Sequence, residues 1–210
     1  MIKEVVSFFN AGGDFMWVIL AVFAVAIAVV IERCIFYYGV CRVKGGDIVV
    51  KIREKIDAGD VDAAKSIAGR GNAPVNVLLY SAVDAFAQKK PFDEIQESVD
   101  ETAISQMPRL TARLNYLSLF ANIGTLLGLL GTIAGLQVLF SSLAAVEAEK
   151  KAAMLAAGIA QAMNATAFGL IVAVPCMVLY TTFFNTQQRI AKELDEAMVR
   201  LLNYLKKKVA

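Results

Sequence analysis

Two stretches of this chain, from Asn115 to Val146 and from Ala152 to Gln188, carry no charged residue. Each is longer than the roughly 20 apolar residues that take an α-helix across the hydrocarbon core of a bilayer. In that solvent a backbone amide must find its partner within the protein, and a helix satisfies every amide inside one segment. A third uncharged run, Phe15 to Ile31, continues past Glu32 and Arg33 into Cys34-Ile35-Phe36-Tyr37-Tyr38. Trp17 at one end and Tyr37-Tyr38 at the other suit membrane interfaces, where amphipathic rings sit among headgroups. A signal peptide would have a basic leading segment, a shorter apolar core and a small-residue cleavage site. Here Lys3 is offset by Glu4, and the run ends in a charged pair and bulky aromatics, so it is expected to remain as a helix. The composition agrees: 58 % of residues are hydrophobic and 19 % charged, against about 45–50 % and 25 % in soluble domains.

The expected fold is therefore an all-α integral membrane protein with three long transmembrane helices, over residues 15–41, 114–146 and 152–188. Both later runs exceed what the hydrocarbon core needs, so these helices should tilt or project from the membrane. Residues 147–151 are all that separate them, which predicts an antiparallel hairpin. Orientation follows from Lys and Arg near the membrane ends. Lys3, Lys150 and Lys151 lie on one side. On the other lie Arg33, Arg42, Lys44, Lys51, Arg53 and Lys55, then Arg189, Lys192, Arg200 and Lys206-Lys207-Lys208. This places the N-terminal arm (1–14) and the hairpin outside, with the 42–113 loop and the 189–210 tail in the cytoplasm.

The loop contains as many acidic as basic residues and reads as helical. Ile48, Val49, Ile52 and Ile56 share one face, and Gly59-Asp60 marks a break. Val61 to Ala68 is a short helix closed by Gly69-Arg70-Gly71. Pro74 and Pro91 each open a further helix, the expected place for proline. A last helix is expected to begin around Pro108 and run unbroken into the second span. In the tail, Ile190, Leu194, Met198, Leu201, Leu202 and Leu205 line one face. That face suits packing on the cytoplasmic helices better than lying on an anionic membrane, because Glu193, Asp195 and Glu196 accompany it. The three spans thus extend into a cytoplasmic helical bundle.

Gly124, Gly128, Gly131 and Gly135 fall within about 60° of one another on the second span at about 100° per residue. Small-xxx-small spacing of this kind lets helix backbones approach closely. The third span has a matching face of Gly158, Ala162, Ala165, Gly169 and Ala173. Thr125 and Thr132 lie beside the first stripe and Thr166 at the edge of the second. Taken singly, each threonine is expected to bond its own helix four residues back and serve packing alone. Pro175 should bend the third helix or free a carbonyl on it. Asp and Glu are absent from both long runs, and Gln161 and Asn164 cannot titrate. A proton carrier inside a membrane needs an ionisable group, so any proton-handling carboxylate must come from another polypeptide.

Several classes fall away. The net charge of +2 does not point to nucleic acid. The chain has no histidine, and no nucleophile–base set or metal-ligand cluster appears, so neither an enzyme nor a metal or organic cofactor is expected. Cys34 and Cys41 stand about 10 Å apart along a helix, too far to bridge. With Cys176 inside an apolar run, all three are expected to be reduced packing residues. A secondary transporter would show an inverted repeat and a mid-membrane substrate site, and neither is visible.

At these residues the chain resembles the ExbB/TolQ/MotA family of inner-membrane motor proteins. The matching stretches are Gly128-Leu-Leu-Gly-Thr-Ile-Ala-Gly135, and Gly158-Ile-Ala-Gln-Ala-Met-Asn-Ala-Thr-Ala-Phe-Gly-Leu170 through Ala173-Val-Pro175. The Glu32-Arg33 pair, the span count and the helical loop fit as well. MotA-like stators have four spans, so the ExbB/TolQ branch fits better. The resemblance implies a multi-pass protein of the bacterial inner membrane with a periplasmic N-terminus. It implies a ring, pentameric in ExbB and TolQ members, around the single helices of two ExbD/TolR-like partners whose aspartate carries the proton. It further implies transmission of energy to the periplasm through a TonB/TolA-like protein, and it assigns Thr132 and Thr166 to the pore lining; Thr125 and Gln161 are the further candidates for the path. Sodium-driven relatives exist, so the resemblance admits sodium beside the proton. One departure is notable: members usually have glutamate in the Gly-Ile-Ala-Glu-Ala pattern, where this chain has Gln161. On the wheel Gln161 lies about 140° from Thr166, toward a neighbouring helix. Its loss of a carboxylate is also what a non-conducting membrane scaffold would show.

Overall fold

The structure is a computed structural model that describes residue 9 and residues 12–143 and 147–209. Most of the expected 1–14 arm, the last residues of the expected second span (144–146) and Ala210 lie outside the described residues. The described elements are helical throughout. Helix α1 (Phe15–Cys34) passes into a π-helical turn (Ile35–Gly39) and a 3₁₀ turn (Val40–Arg42). Then follow α2 (Gly45–Asp57), α3 (Val61–Ala68), α4 (Pro74–Ala87), α5 (Phe92–Thr111), α6 (Leu114–Leu143) and α7 (Ala148–Val209). Three helical stretches, Phe15–Asp57, Phe92–Leu143 and Ala148–Val209, are long and apolar enough to cross a membrane. Their most apolar windows reach mean hydropathies of 2.7, 1.9 and 2.0. The architecture is that of an all-helical integral membrane protein.

The chain divides into two compact units. The first comprises Met1–Ile31 and Arg113–Thr182, and so holds most of α1, all of α6 and the first part of α7. Its packing is made by small side chains. Ile19 and Ala26 of α1 share a buried cluster with Ala121, Val172, Ala173 and Cys176. Large apolar side chains point outward instead: Leu126, Ile133 and Phe140 on α6 and Met163, Val174 and Val178 on α7 are all more than half exposed. An apolar exterior of this extent needs lipid or another subunit to cover it.

The second unit comprises Glu32–Ala112 and Phe183–Ala210. Its core gathers Val49 and Ile52 of α2, Leu78 and Leu79 of α4, Ile95 and Val99 of α5, and Leu194, Met198, Leu201 and Leu205 of α7. The apolar stripe of the tail is thus consumed in a helical core. Local caps fix the short helices. Asp60 Oδ1 accepts the Ala63 amide at 3.0 Å to start α3, and Pro74 stands in the first turn of α4. Buried Asn76 donates to the Ala68 and Arg70 carbonyls at 3.1 and 2.8 Å, closing the end of α3. At the last turn of α7, Lys208 and Tyr204 reach the exposed Asp57 carboxylate at 2.7 and 2.8 Å. These two hydrogen bonds, Lys208's the stronger, hold the Asp57 carboxyl below its ordinary range.

The passage into α6 differs from the sequence expectation. Pro108 lies inside α5 and opens no new helix. The helix stops instead at Ala112 (ψ 138°) and Arg113 (φ 60°). The reason is a set of distant capping groups. Arg33 Nη1 donates to the Arg109 carbonyl at 3.3 Å, and the Tyr37 hydroxyl donates to the Leu110 carbonyl at 2.7 Å. In a continuing helix those carbonyls would accept from residues 113 and 114. Arg33, almost wholly buried, is itself held by Glu32 through bonds of 2.8 and 2.5 Å and lies over the Phe36 ring. The segment that ends α1 therefore also terminates α5.

Tyr37→Phe keeps the ring and removes the donor to a buried carbonyl, a loss of about 1–3 kcal/mol. A lowered thermal midpoint of the detergent-purified protein is expected; an unchanged midpoint would show that Leu110 finds another partner.

Candidate functional site

The site is built where α6 and α7 pack through glycine and alanine, inside the first unit. Each glycine of the α6 stripe faces α7. A Cβ on Gly124 would lie 3.3 Å from the Gly169 carbonyl oxygen, and one on Gly128 would lie 3.2 Å from the Thr166 Cα. One on Gly131 would lie 2.8 Å from the Ala165 Cβ, and one on Gly135 would lie 3.3 Å from the Ala162 Cβ. From the other helix, a Cβ on Gly169 would fall 2.5 Å from the Gly124 carbonyl oxygen. At Gly124, Gly128 and Gly169 backbone is packed on backbone, and at Gly131 and Gly135 the nearest neighbour is an alanine methyl, so no flexible side chain can move aside. The stripe is spent on this contact within one chain.

That approach brings Thr132 and Thr166 together. Their hydroxyls are in hydrogen-bond contact, and both also reach the Gly128 carbonyl, at 3.1 Å from Thr132 and 3.0 Å from Thr166. Thr132 Oγ1 stands 3.4 Å from the Ala162 carbonyl as well. Two hydroxyls own two protons and four lone pairs, so at most two of the three short contacts are hydrogen bonds at one time, and acceptor capacity is left unspent. The pair can solvate a cation, a hydronium or a carboxyl group and can pass a proton along. It cannot keep a charge, because neither hydroxyl titrates in the accessible range.

The other sequence candidates stand apart from this pair. Thr125 is exposed and bonds the Ala121 carbonyl one turn back at 3.1 Å. Gln161 lies at the turn before α1: a Cβ on Gly13, itself at φ +76°, would fall 2.6 Å from Gln161 Nε2. Helix α7 is continuous through Pro175. The bond from Thr132 to the Gly128 carbonyl is the expected one to its own helix; sequence reasoning missed that Thr166 crosses to the same carbonyl. The four-residue step from Gly128 to Thr132 signals only the first of these bonds. Among the described residues, no three His, Cys, Asp or Glu side chains converge on a metal-sized site. The cysteines are free.

Comparison with known proteins bears on this arrangement. Residues 70–196, which include α6, the hairpin and most of α7, match the model of the MotA/TolQ/ExbB proton channel family. The chain belongs to that family. A Methanothermobacter thermautotrophicus protein named as a homologue of the biopolymer transport protein ExbB is 26 % identical over 192 residues, covering 91 % of this chain and 66 % of that protein. The biopolymer transport protein ExbB of Salmonella typhimurium is 36 % identical over 136 residues, covering 60 % of this chain and 55 % of its own length. The Tol-Pal system protein TolQ of Pseudomonas aeruginosa is 37 % identical over 75 residues, 36 % of this chain and 32 % of TolQ. The chain thus spans less than two thirds of the length of these curated relatives. Family membership gives the hydroxyl pair a context, since both threonines lie inside the matched region.

Gly169→Ala forces a methyl group against the α6 backbone. A loss of about 1–3 kcal/mol is expected, read as a lower thermal midpoint and a weaker engineered disulfide between α6 and α7. Normal cross-linking would mean that the helices tolerate a wider spacing.

Proposed function

We propose that this chain is a channel-forming stator subunit of an ExbB/TolQ-like motor driven by the proton motive force. The observation that carries the reading is the Thr132–Thr166 pair, set at a glycine-mediated helix contact of a proton-channel family member whose long spans hold no carboxylate. Hydroxyls of this kind line a path without holding the proton. The titrating group is then the aspartate of a single-span ExbD/TolR-like partner, two copies of which sit inside a ring, pentameric by family resemblance. The outward apolar faces of α1, α6 and α7 serve as ring contacts and lipid-facing surface. The chain lies in the bacterial inner membrane with its N-terminus periplasmic. Residues 42–113 and the end of α7 form a cytoplasmic bundle. Proton flow, or sodium flow in its place, turns the partner pair, and a TonB/TolA-like protein carries the work across the periplasm for transport or envelope maintenance.

Gln161 favours a second reading, a membrane scaffold that holds partners without conducting, because the family's usual glutamate is missing there. The motor reading assigns Gln161 to the support of the turn at Gly13, away from the path. Thr166→Val separates the two. It preserves shape and removes one hydroxyl, so partner-dependent activity should fall about tenfold, the equivalent of one hydrogen bond of ~1.4 kcal/mol in a barrier. Thr166→Ser should restore it. A scaffold would work equally well with valine.

A further inference from the structure

A cavity of about 490 Å³ opens in the second unit, bordered by the turns that follow α1 on one side and by α7 on the other. This is within the range of about 300–1,000 Å³ common for small-ligand sites. Its position in sequence is informative. Tyr37 and Tyr38 mark the interfacial end of the first apolar run, and Arg189 is the first charge after the uncharged run from Ala152 to Gln188. Both walls of the cavity therefore leave the apolar region at this level.

The lining is strongly cationic. Arg42, Lys44 and Arg189 border the cavity against one carboxylate, Glu193. Arg189 Nε stands 4.0 Å from Glu193 Oε1, and both side chains are mostly exposed, at 69 % and 54 %. That separation is the outer limit of an ion pair and leaves the guanidinium fork able to take a second anion. Among the described residues, Arg42 and Lys44 have no carboxylate partner. Arg33 nearby is different, being buried and locked to Glu32. The Tyr37 hydroxyl is committed to the Leu110 carbonyl, so its ring serves as an apolar wall, while Ile35 and Tyr38 stay 63 % and 51 % exposed beside it. Unpaired cations, an aromatic wall and exposed apolar side chains at interfacial level form an amphipathic receptor.

We propose that this cavity holds the phosphate of an anionic phospholipid headgroup, with the acyl chains passing over the Ile35–Tyr38 surface. Three cations against one carboxylate select a net negative headgroup; a choline headgroup would bring its own positive charge into the same field. The apolar border favours a lipid over free phosphate. The proposal rests on the membrane placement of the chain and is independent of the channel reading, so its failure leaves proton flux untouched.

The test uses the full-length protein in mild detergent, exchanged into micelles doped with phosphatidylglycerol or phosphatidylcholine, with bound lipid counted by native mass spectrometry. Wild type should retain phosphatidylglycerol in preference to phosphatidylcholine. Each cation is worth about fivefold near an anionic headgroup. The triple variant Arg42→Gln, Lys44→Gln, Arg189→Gln should therefore lose about a hundredfold in phosphatidylglycerol affinity with phosphatidylcholine retention unchanged. Arg189→Gln alone, on a largely exposed side chain, should lose about fivefold and keeps the test valid if the triple variant fails to assemble. Lys89→Gln with Lys90→Gln, which line a different cavity, should change nothing. Undiminished phosphatidylglycerol retention in the Arg42, Lys44 and Arg189 variants overturns the proposal. So does displacement of the lipid by millimolar inorganic phosphate, which would assign the site to a soluble anion.

Discussion

The close approach of α6 and α7 is the contact on which the membrane half of this protein depends. In lipid no hydrophobic gain draws two apolar helices together, because the acyl chains are as apolar as the side chains they would replace. Association has to come from dispersion at short range and from polar contacts made across the helices. Gly124, Gly128 and Gly169 supply the first by exposing backbone to backbone, and Thr132 and Thr166 supply the second around the Gly128 carbonyl. The two depend on each other. A side chain at Gly128 would separate the helices, and separated helices would take Thr166 off the Gly128 carbonyl and leave Thr132 there alone.

The same economy explains what the site is able to do. A buried carboxylate in this chain would fix charge in the membrane at considerable cost, whereas hydroxyls and an amide carbonyl stay neutral and stay put. In the proposed motor, a titrating group on a partner divides the work: a fixed neutral lining in one polypeptide and a mobile charge in the other. A lining of this kind can be passed repeatedly without a change of protonation state. Gln161 fits the same division, since its amide lies close to Gly13 and adds no charge.

Much of this was legible in the residues. The uncharged runs are long enough for the helical period to be unambiguous, so the glycine stripe, the small face opposite and the threonines at their edges follow from residue spacing alone. The apolar stripe from Leu194 to Leu205 likewise announced a helical packing partner. What could not be read locally was non-local capping. Pro108 looked like a helix start because proline favours that position, yet α5 runs through it and ends where Arg33 and Tyr37 take the last carbonyls, from positions 76 and 73 residues away along the chain. The neighbourhood of Gln161 was hidden for the same reason, since nothing in its own helix points to Gly13.

The most direct test of the central claim is proton flux in proteoliposomes under an imposed membrane potential, comparing the chain alone with the chain assembled with the proposed single-span partner. The account predicts background flux from the chain alone. It predicts clear flux from the assembly, abolished when the partner's intramembrane aspartate becomes asparagine. Flux from the chain alone, or an assembly that conducts equally with asparagine in place, would contradict it by showing that the proton needs no carboxylate from outside this polypeptide.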